Sequence, residues 1–351
     1  LLHFQNNNIS NNYSVCAIIQ GNWLDHFPHS MQHLLRCIDW WESQYIQFSK
    51  QPLLVISQLA YESFQPTRLW SEKQNHFTSG ILESLIRTMG LTIVLDNRSN
   101  HIASWNRTGG NNNSSTWVTP KIGTTAYQVS TPKHMQSFRD RLVNDILPEI
   151  SSNSSSSSCT TTTTTTKQQQ QPLFPRISIL NRKGRRAIKN VLALQKRLND
   201  EQFGGTTTSS NVTITYFEGT GTSFKDQVSF FQSTDILISP HGAQLTGIIF
   251  LPHVCSSVLE LSIENYNMPA FFGSLGTSVG INNYAHIEPL SKKHMPTLKL
   301  RRKARSKLIC ASLDTIVDAV RILVHNWQDC CQRQESRIAV GQLNTTTTTT
   351  T

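Results

Sequence analysis

Residues 224–263 read FKDQVSFFQSTDILISPHGAQLTGIIFLPHVCSSVLELSI, and the fold follows from how that stretch divides. Phe224, Val228 and Phe231 fall at i, i+4 and i+7, the spacing of one helix face, with Ser223 and Asp226 placed to cap it. A strand is expected over 235–239. It runs into Pro240-His241-Gly242-Ala243, and apolar spacing then resumes at Leu245, Ile248 and Ile249 as a second helix up to Leu251-Pro252. A further strand over 258–263 carries one acid, Glu260. Strand, glycine turn, helix and strand together present backbone N–H groups and a positive helix end to an anion. The stretch is a candidate nucleotide site.

The same alternation extends in both directions. Upstream lie an expected strand over 177–180, a helix over 185–199 with Ile188, Val191, Leu192 and Leu198 on one face, and a strand through Val212, Ile214 and Tyr216. Downstream, Leu313, Ile316, Val317, Val320, Val324 and Trp327 mark a helix capped by Ser312. Residues 151–171, SSNSSSSSCTTTTTTTKQQQQ, cannot build a core and read as a flexible linker. Before them come strands over 15–19, 53–57 and 91–96 and helices around 31–38, 81–89 and 132–147. The division expected is a disordered arm (1–14), a first Rossmann-like domain (15–150), the linker, a second Rossmann-like domain (172–330) and a disordered tail (331–351). The fold class is α/β, with mostly parallel sheets covered on both faces and a cleft between the two domains.

The 351 residues carry a formal charge of +10, which points to an anionic partner. Basic residues cluster at 182–189 and 299–307, but no zinc-finger, RNA-recognition or Walker pattern accompanies them, so nucleic acid is not the expected partner. Seven cysteines occur without a C-x-x-C pair, and their odd number leaves at least one unpaired. Asn-x-Ser/Thr acceptors at Asn8, Asn12, Asn97, Asn106, Asn112, Asn113, Asn153, Asn211 and Asn344 suit a lumenal protein, although a chain rich in Asn, Ser and Thr also makes them by chance. No apolar run reaches the ~18 residues that span a bilayer, and a signal or anchor is expected outside this sequence.

The run from 235 to 260 resembles the signature segment of the family 61 glycosyltransferases, in which a strand leads into His-Gly-Ala-Gly-Leu-Thr-Asn, an apolar helix and a Glu-bearing strand. Here it reads His241-Gly242-Ala243-Gln244-Leu245-Thr246-Gly247, differing at Gln244 and Gly247. The resemblance implies a GT-B architecture and an inverting transfer of N-acetylglucosamine or xylose from a UDP-sugar to a hydroxyl of a glycoprotein or glycan, in the Golgi or endoplasmic reticulum. It also matches Arg182, Arg186 and Asn190 to the family's Arg, Arg and Asn after a strand, and Gln227 to its pattern, where capping or packing serves equally.

Chemistry gives these residues roles to test. Gly242 lets the backbone approach a diphosphate and His241 donates to it, the alternative being a turn glycine beside a structural histidine. Thr246 adds a hydroxyl, unless it is ordinary surface. Arg182, Arg185 and Arg186 can hold a pyrophosphate and meet the charge that grows as the sugar leaves. Glu260 can accept the two ribose hydroxyls, or form a structural ion pair. Asp25-His26-Phe27-Pro28-His29 resembles the family's amino-terminal aromatic-His segment; His26 is the expected general base, with His29 and Asp25 as rivals and a cap or core histidine as the alternative. No D-x-D pair occurs, so a metal is not required by this scheme, with manganese left open. The absence of G-x-S-x-G and of a P-loop counts against a hydrolase or a P-loop enzyme. Two further readings stay open: a catalytically silent relative that binds glycan or nucleotide, and a basic scaffold.

Overall fold

The computed structural model describes residues 13–18, 27–48, 50–57, 75–96, 117–118, 127, 131–151, 174–201, 203, 211–217, 222–252, 255–266, 268–288, 298–310 and 312–346. The chain divides into two units. The first comprises Leu1–Pro148 with Gly221–Val228 and Ala270–Gly280, and the second comprises Glu149–Thr220, Ser229–Pro269 and Ile281–Thr351.

In the first unit the apolar runs become β1 (Tyr13–Ile18), β2 (Gln51–Ser57), β3 (Thr92–Asp96) and the short β4 (Trp117–Val118), all parallel in the order β3-β2-β1-β4. The strand β1 begins inside the expected amino-terminal arm. Between the strands run α1 (Phe27–Phe48) and α2 (Asn75–Met89), followed by α3 (Pro132–Ile146). The apolar stripe of α1 buries Met31, Leu34, Leu35, Ile38 and Trp41. Trp41 Nε1 donates to the Ser14 carbonyl (3.0 Å), and the Cys16–Cys37 disulfide joins the same two elements. Thr131 caps α3 by accepting from the Lys133 N–H, with Pro132 suited to the first helical position. The buried Glu42 of α1 accepts from Ser137 and Arg141 of α3.

The first of the chain's crossings between the units falls within a single turn, α4 (Pro148–Ser151). The low-complexity stretch beyond Ser151 lies outside the described residues.

The second unit holds β5 (Ile177–Asn181), α5 (Val191–Asn199), β6 (Thr213–Tyr216), β7 (Ile236–Pro240), a 3-10 helix (Ala243–Phe250) and β8 (Ser257–Leu261). After these come β9 (Asn283–Ile287), α8 (Leu298–Ala304) and α9 (Leu313–Thr346); α6 (Phe224–Gln232) and α7 (Pro269–Ser278) intervene in chain order. The five strands are parallel in the order β6-β5-β7-β8-β9. Every residue of β5, β7 and β8 is buried, as expected of a sheet covered on both faces. Ile177, Ile179, Ile236, Ile238 and Leu259 form its core with Val191, Leu194 and Leu198 of α5 and Ile316, Val317, Val320 and Val324 of α9.

Three expectations change here. The helix expected from 185 begins at Val191, because the residues before it are drawn into loop contacts described below. The helix after Gly242 is a 3-10 helix, consistent with Leu245, Ile248 and Leu251 at three-residue spacing. The last helix runs on to Thr346, through the region expected to be a tail from 331, and is tied to the unit by the Cys255–Cys330 disulfide.

Candidate functional site

Strand order reverses between β5 and β7, and open α/β sheets bind ligands at the carboxyl ends of the strands beside such a reversal. Asn181 ends β5. Its buried side chain accepts from the Ile188 N–H (2.8 Å) and donates to the Ile188 carbonyl (3.2 Å), closing residues 182–187 into a loop. The loop reverses through Gly184 and Arg186, both in left-handed backbone conformation (φ 81 and 61). For a non-glycine residue that conformation costs on the order of 1 kcal/mol. It is offset by hydrogen bonds to a distant segment: Arg186 N–H to Lys307 O, Ile309 N–H to Ala187 O and Lys189 N–H to Ile309 O, each 2.8 Å. The two basic runs of the sequence are thus laid side by side.

At the end of β7 the turn His241-Gly242 receives this loop. A Cβ on Gly242 would lie 2.2 Å from Arg182 Nη1, so the guanidinium rests directly against the glycine backbone. Gly242 has an extended backbone (φ 170), so glycine is needed there for space. Arg186 Nη1 donates to the His241 carbonyl (3.2 Å), and its guanidinium lies 5.5 Å from the centre of the Tyr266 ring. Arg305 approaches that ring at 5.2 Å and donates through Nε to its hydroxyl (3.1 Å), while the His241 ring meets it edge-on.

Glu260 is fully buried in β8. Its Oε1 lies 2.5 Å from His241 Nδ1, and its Oε2 accepts from the Tyr284 hydroxyl (2.8 Å) and stands 3.2 Å from Nδ1 of His286, its register partner on β9. Burial pushes this carboxyl up, but the hydrogen bonds from His241, His286 and Tyr284, with the charge on His241, outweigh burial and hold it at about 2. Both oxygens thus take hydrogen bonds inside the protein, the arrangement of the structural ion pair that the sequence leaves as the alternative to holding ribose. Since Nδ1 of His241 is committed to Glu260, any ligand contact by that ring falls to Nε2.

A family model described as Glycosyltransferase 61 matches residues 27–258, well over half of the chain. The chain belongs to glycosyltransferase family 61. No curated protein matches the sequence. Membership makes it a glycosyltransferase, with a nucleotide-sugar donor and a glycan acceptor in general terms. The matched residues include Arg182, Arg186, Asn190 and the His241 turn, and stop just short of Glu260.

The two departures from the family 61 pattern have structural uses. Gln244 Nε2 donates to Leu180 O (2.9 Å) and Ser239 Oγ (2.8 Å), tying the ends of β5 and β7 together beneath the turn. At Gly247 a Cβ would lie 1.9 Å from the Phe231 ring, so the glycine and that phenylalanine go together.

Of the other candidates, Thr246 is fully buried and its Oγ1 has no partner among the described residues, which excludes ordinary surface. Ala243 opens the 3-10 helix, partly exposed. Asn190 stands at the N-cap of α5, off the helix proper, and makes no side-chain capping bond. Gln227 is buried and donates to the Thr222 carbonyl, a packing role. Asp25 and His26 lie outside the described residues; His29 lies in α1, but its side chain is not among those described. Among the described residues no group of three or more His, Cys, Asp or Glu could hold a metal ion, and no helix is long and apolar enough to cross a membrane. Asn181, Tyr266, Tyr284 and His286 were not candidates in the sequence. Asn181, directly before Arg182, had an available signal as a polar residue ending an apolar strand.

Proposed function

We propose that the chain moves a sugar of the N-acetylglucosamine or xylose class from a UDP-sugar to a hydroxyl of a glycoprotein or glycan, with inversion, as a GT-B-type enzyme whose second unit holds the donor. The convergence of Arg182 and Arg186 on the His241-Gly242 turn, at the strand-order reversal, supports this reading. In the proposed reaction the acceptor oxygen attacks the anomeric carbon as its bond to the diphosphate breaks. The negative charge that builds on the leaving UDP is met by the two guanidiniums, without a metal ion. The acceptor proton goes to a base, for which His26 is proposed, with His29 and Asp25 as rivals.

A Golgi or endoplasmic-reticulum lumen suits this activity. The Cys16–Cys37 and Cys255–Cys330 disulfides favour an oxidising compartment.

The test is calorimetric titration of the full chain with UDP, in EDTA and then with manganese, for the wild type and Arg182→Ala. UDP binding in EDTA that the substitution weakens strongly is the expected result, followed by transfer from UDP-N-acetylglucosamine or UDP-xylose in an acceptor screen. Binding that appears only with manganese would overturn metal independence. A chain that binds UDP but turns over no donor would be a silent relative.

A further inference from the structure

Arg87, Arg141, Arg176 and Arg197 each hold a carboxylate, that of Asp145, Glu42, Asp235 and Glu201 in turn, and Arg321 shares Glu201. The cations around the arginine loop (182–187) differ. Arg185 and Lys189 on one basic run, and Lys299, Lys303 and Lys307 on the other, are exposed and have no carboxylate partner among the described residues. The sequence offers them none nearby, since no Asp or Glu occurs in 177–199 or in 289–313.

The fold then concentrates these charges. The backbone of Arg186, Ala187 and Lys189 is bonded to that of Lys307 and Ile309, which holds the two runs at the spacing of adjacent strands, about 4.8 Å. On α8, Lys299 and Lys303 stand four residues apart and so share a helix face, about 6 Å from each other along the axis. Like charges so placed repel. Separations of that order are below the Debye length of about 8 Å at physiological salt, so neighbouring fields add. The result is a positive surface uncompensated from within the chain, beginning at the arginines that meet the His241-Gly242 turn. An anion from outside relieves the repulsion.

We propose that this surface holds an acidic glycan, one bearing uronate or sulfate groups, and that such a polymer is the acceptor. The inference rests on the transferase reading above and adds to it the chemical class of the acceptor. Exposed lysines suit an extended chain of repeating charges, because each ammonium is a flexible point charge and not a fixed fork for one anion. Nucleic acid fits less well. Residues 182–190 and 299–310 contain no Phe, Tyr or Trp on which bases could stack, and the ring of Tyr266 is already taken by Arg186, Arg305 and His241.

The experiment measures binding of the full chain to polygalacturonate, to dextran sulfate and to neutral dextran by biolayer interferometry, at about 50 and about 200 mM salt. At least one acidic polymer should bind, more weakly at the higher salt, and dextran should not; the tighter of the two tells uronate from sulfate. Lys299→Gln with Lys303→Gln should weaken that binding about fivefold or more. Removing the same charge elsewhere, by Lys133→Gln with Arg333→Gln, should change it less than about twofold, and both variants should bind UDP as the wild type does. Equal losses in the two variants would reduce the effect to net charge and overturn the proposal. Binding of dextran, or tighter binding of double-stranded DNA than of either acidic glycan, would overturn it as well. With a donor that turns over, the Lys299 and Lys303 substitutions should raise KM for an acidic acceptor at unchanged kcat, and an unchanged KM would remove the surface from acceptor binding. If UDP binds and neither acidic polymer does, this inference falls and the transferase reading stands. If no nucleoside diphosphate binds, the donor reading falls and the acceptor role with it.

Discussion

Nδ1 of His241 sits 2.5 Å from Oε1 of Glu260, a fully buried carboxylate on the neighbouring strand. A buried acid held at about 2 against an ordinary 4.5 contributes on the order of 3 kcal/mol of stability. Because its folded value is depressed, that contribution is fully present above the ordinary value and is lost as pH falls towards 2. Acid unfolding of Glu260→Gln should therefore be flatter than that of the wild type over this window. Asp145 and Glu201, also lowered by arginine partners, act alike in both proteins, so the difference isolates Glu260. Identical acid limbs would mean that the carboxylate carries no net charge coupling.

Gly242→Ala should leave the fold intact, since the atom it meets is the end of a flexible side chain, and should displace Arg182. The expected loss is about tenfold or more in kcat/KM at an unchanged Tm, with Arg182→Ala alone costing about 3 kcal/mol of transition-state stabilisation. In an Arg182→Ala background, Gly242→Ala should cost little. Additive effects in that double-mutant cycle would separate the two residues.

Gly247→Ala collides with a buried ring instead of a mobile tip. Overpacking of this kind costs about 1–3 kcal/mol, read as a lowered midpoint in denaturant, and Phe231→Leu should restore part of it. A midpoint unchanged by Gly247→Ala would show that the ring has room to move.

Asn181→Ala leaves both the N–H and the carbonyl of Ile188 without their side-chain partner in a buried place. The expected loss is about 1–3 kcal/mol of stability, together with a raised KM for the donor as the arginine loop loosens. A changed stability with an unchanged KM would remove Asn181 from the positioning of Arg182 and Arg186.

The sequence makes the sheets legible because their strands are short apolar runs bounded by Pro, Gly and Asn, and a signal of that kind is local. The His241-Gly242 turn is legible for the same reason. The fate of Glu260 is not. Its three partners come from the turn after β7 and from β9, and only the register of the strands brings them together. Nor could spacing reveal that 182–190 is a loop. Ile188 has helical periodicity with Val191 and Leu192, but its backbone pairs with Ile309, more than a hundred residues away. Non-local pairing of that sort overrides local preference. The strand β9 is not legible in the sequence because its Asn283-Tyr284-Ala285-His286-Ile287 is too polar to stand out, which is also why it can supply two partners to a buried acid.

The Cys255–Cys330 bond closes a covalent ring across 75 positions of sequence, and β8, β9 and the whole segment from Lys307 to Thr315 fall inside it. The cavity lined by Ile263, Ile287 and Ile309, at the carboxyl ends of β8 and β9, is thus walled by one closed circuit of chain. A single proteolytic cut anywhere in that circuit would leave both pieces attached, migrating as one species on a non-reducing gel and as two only after thiol is added.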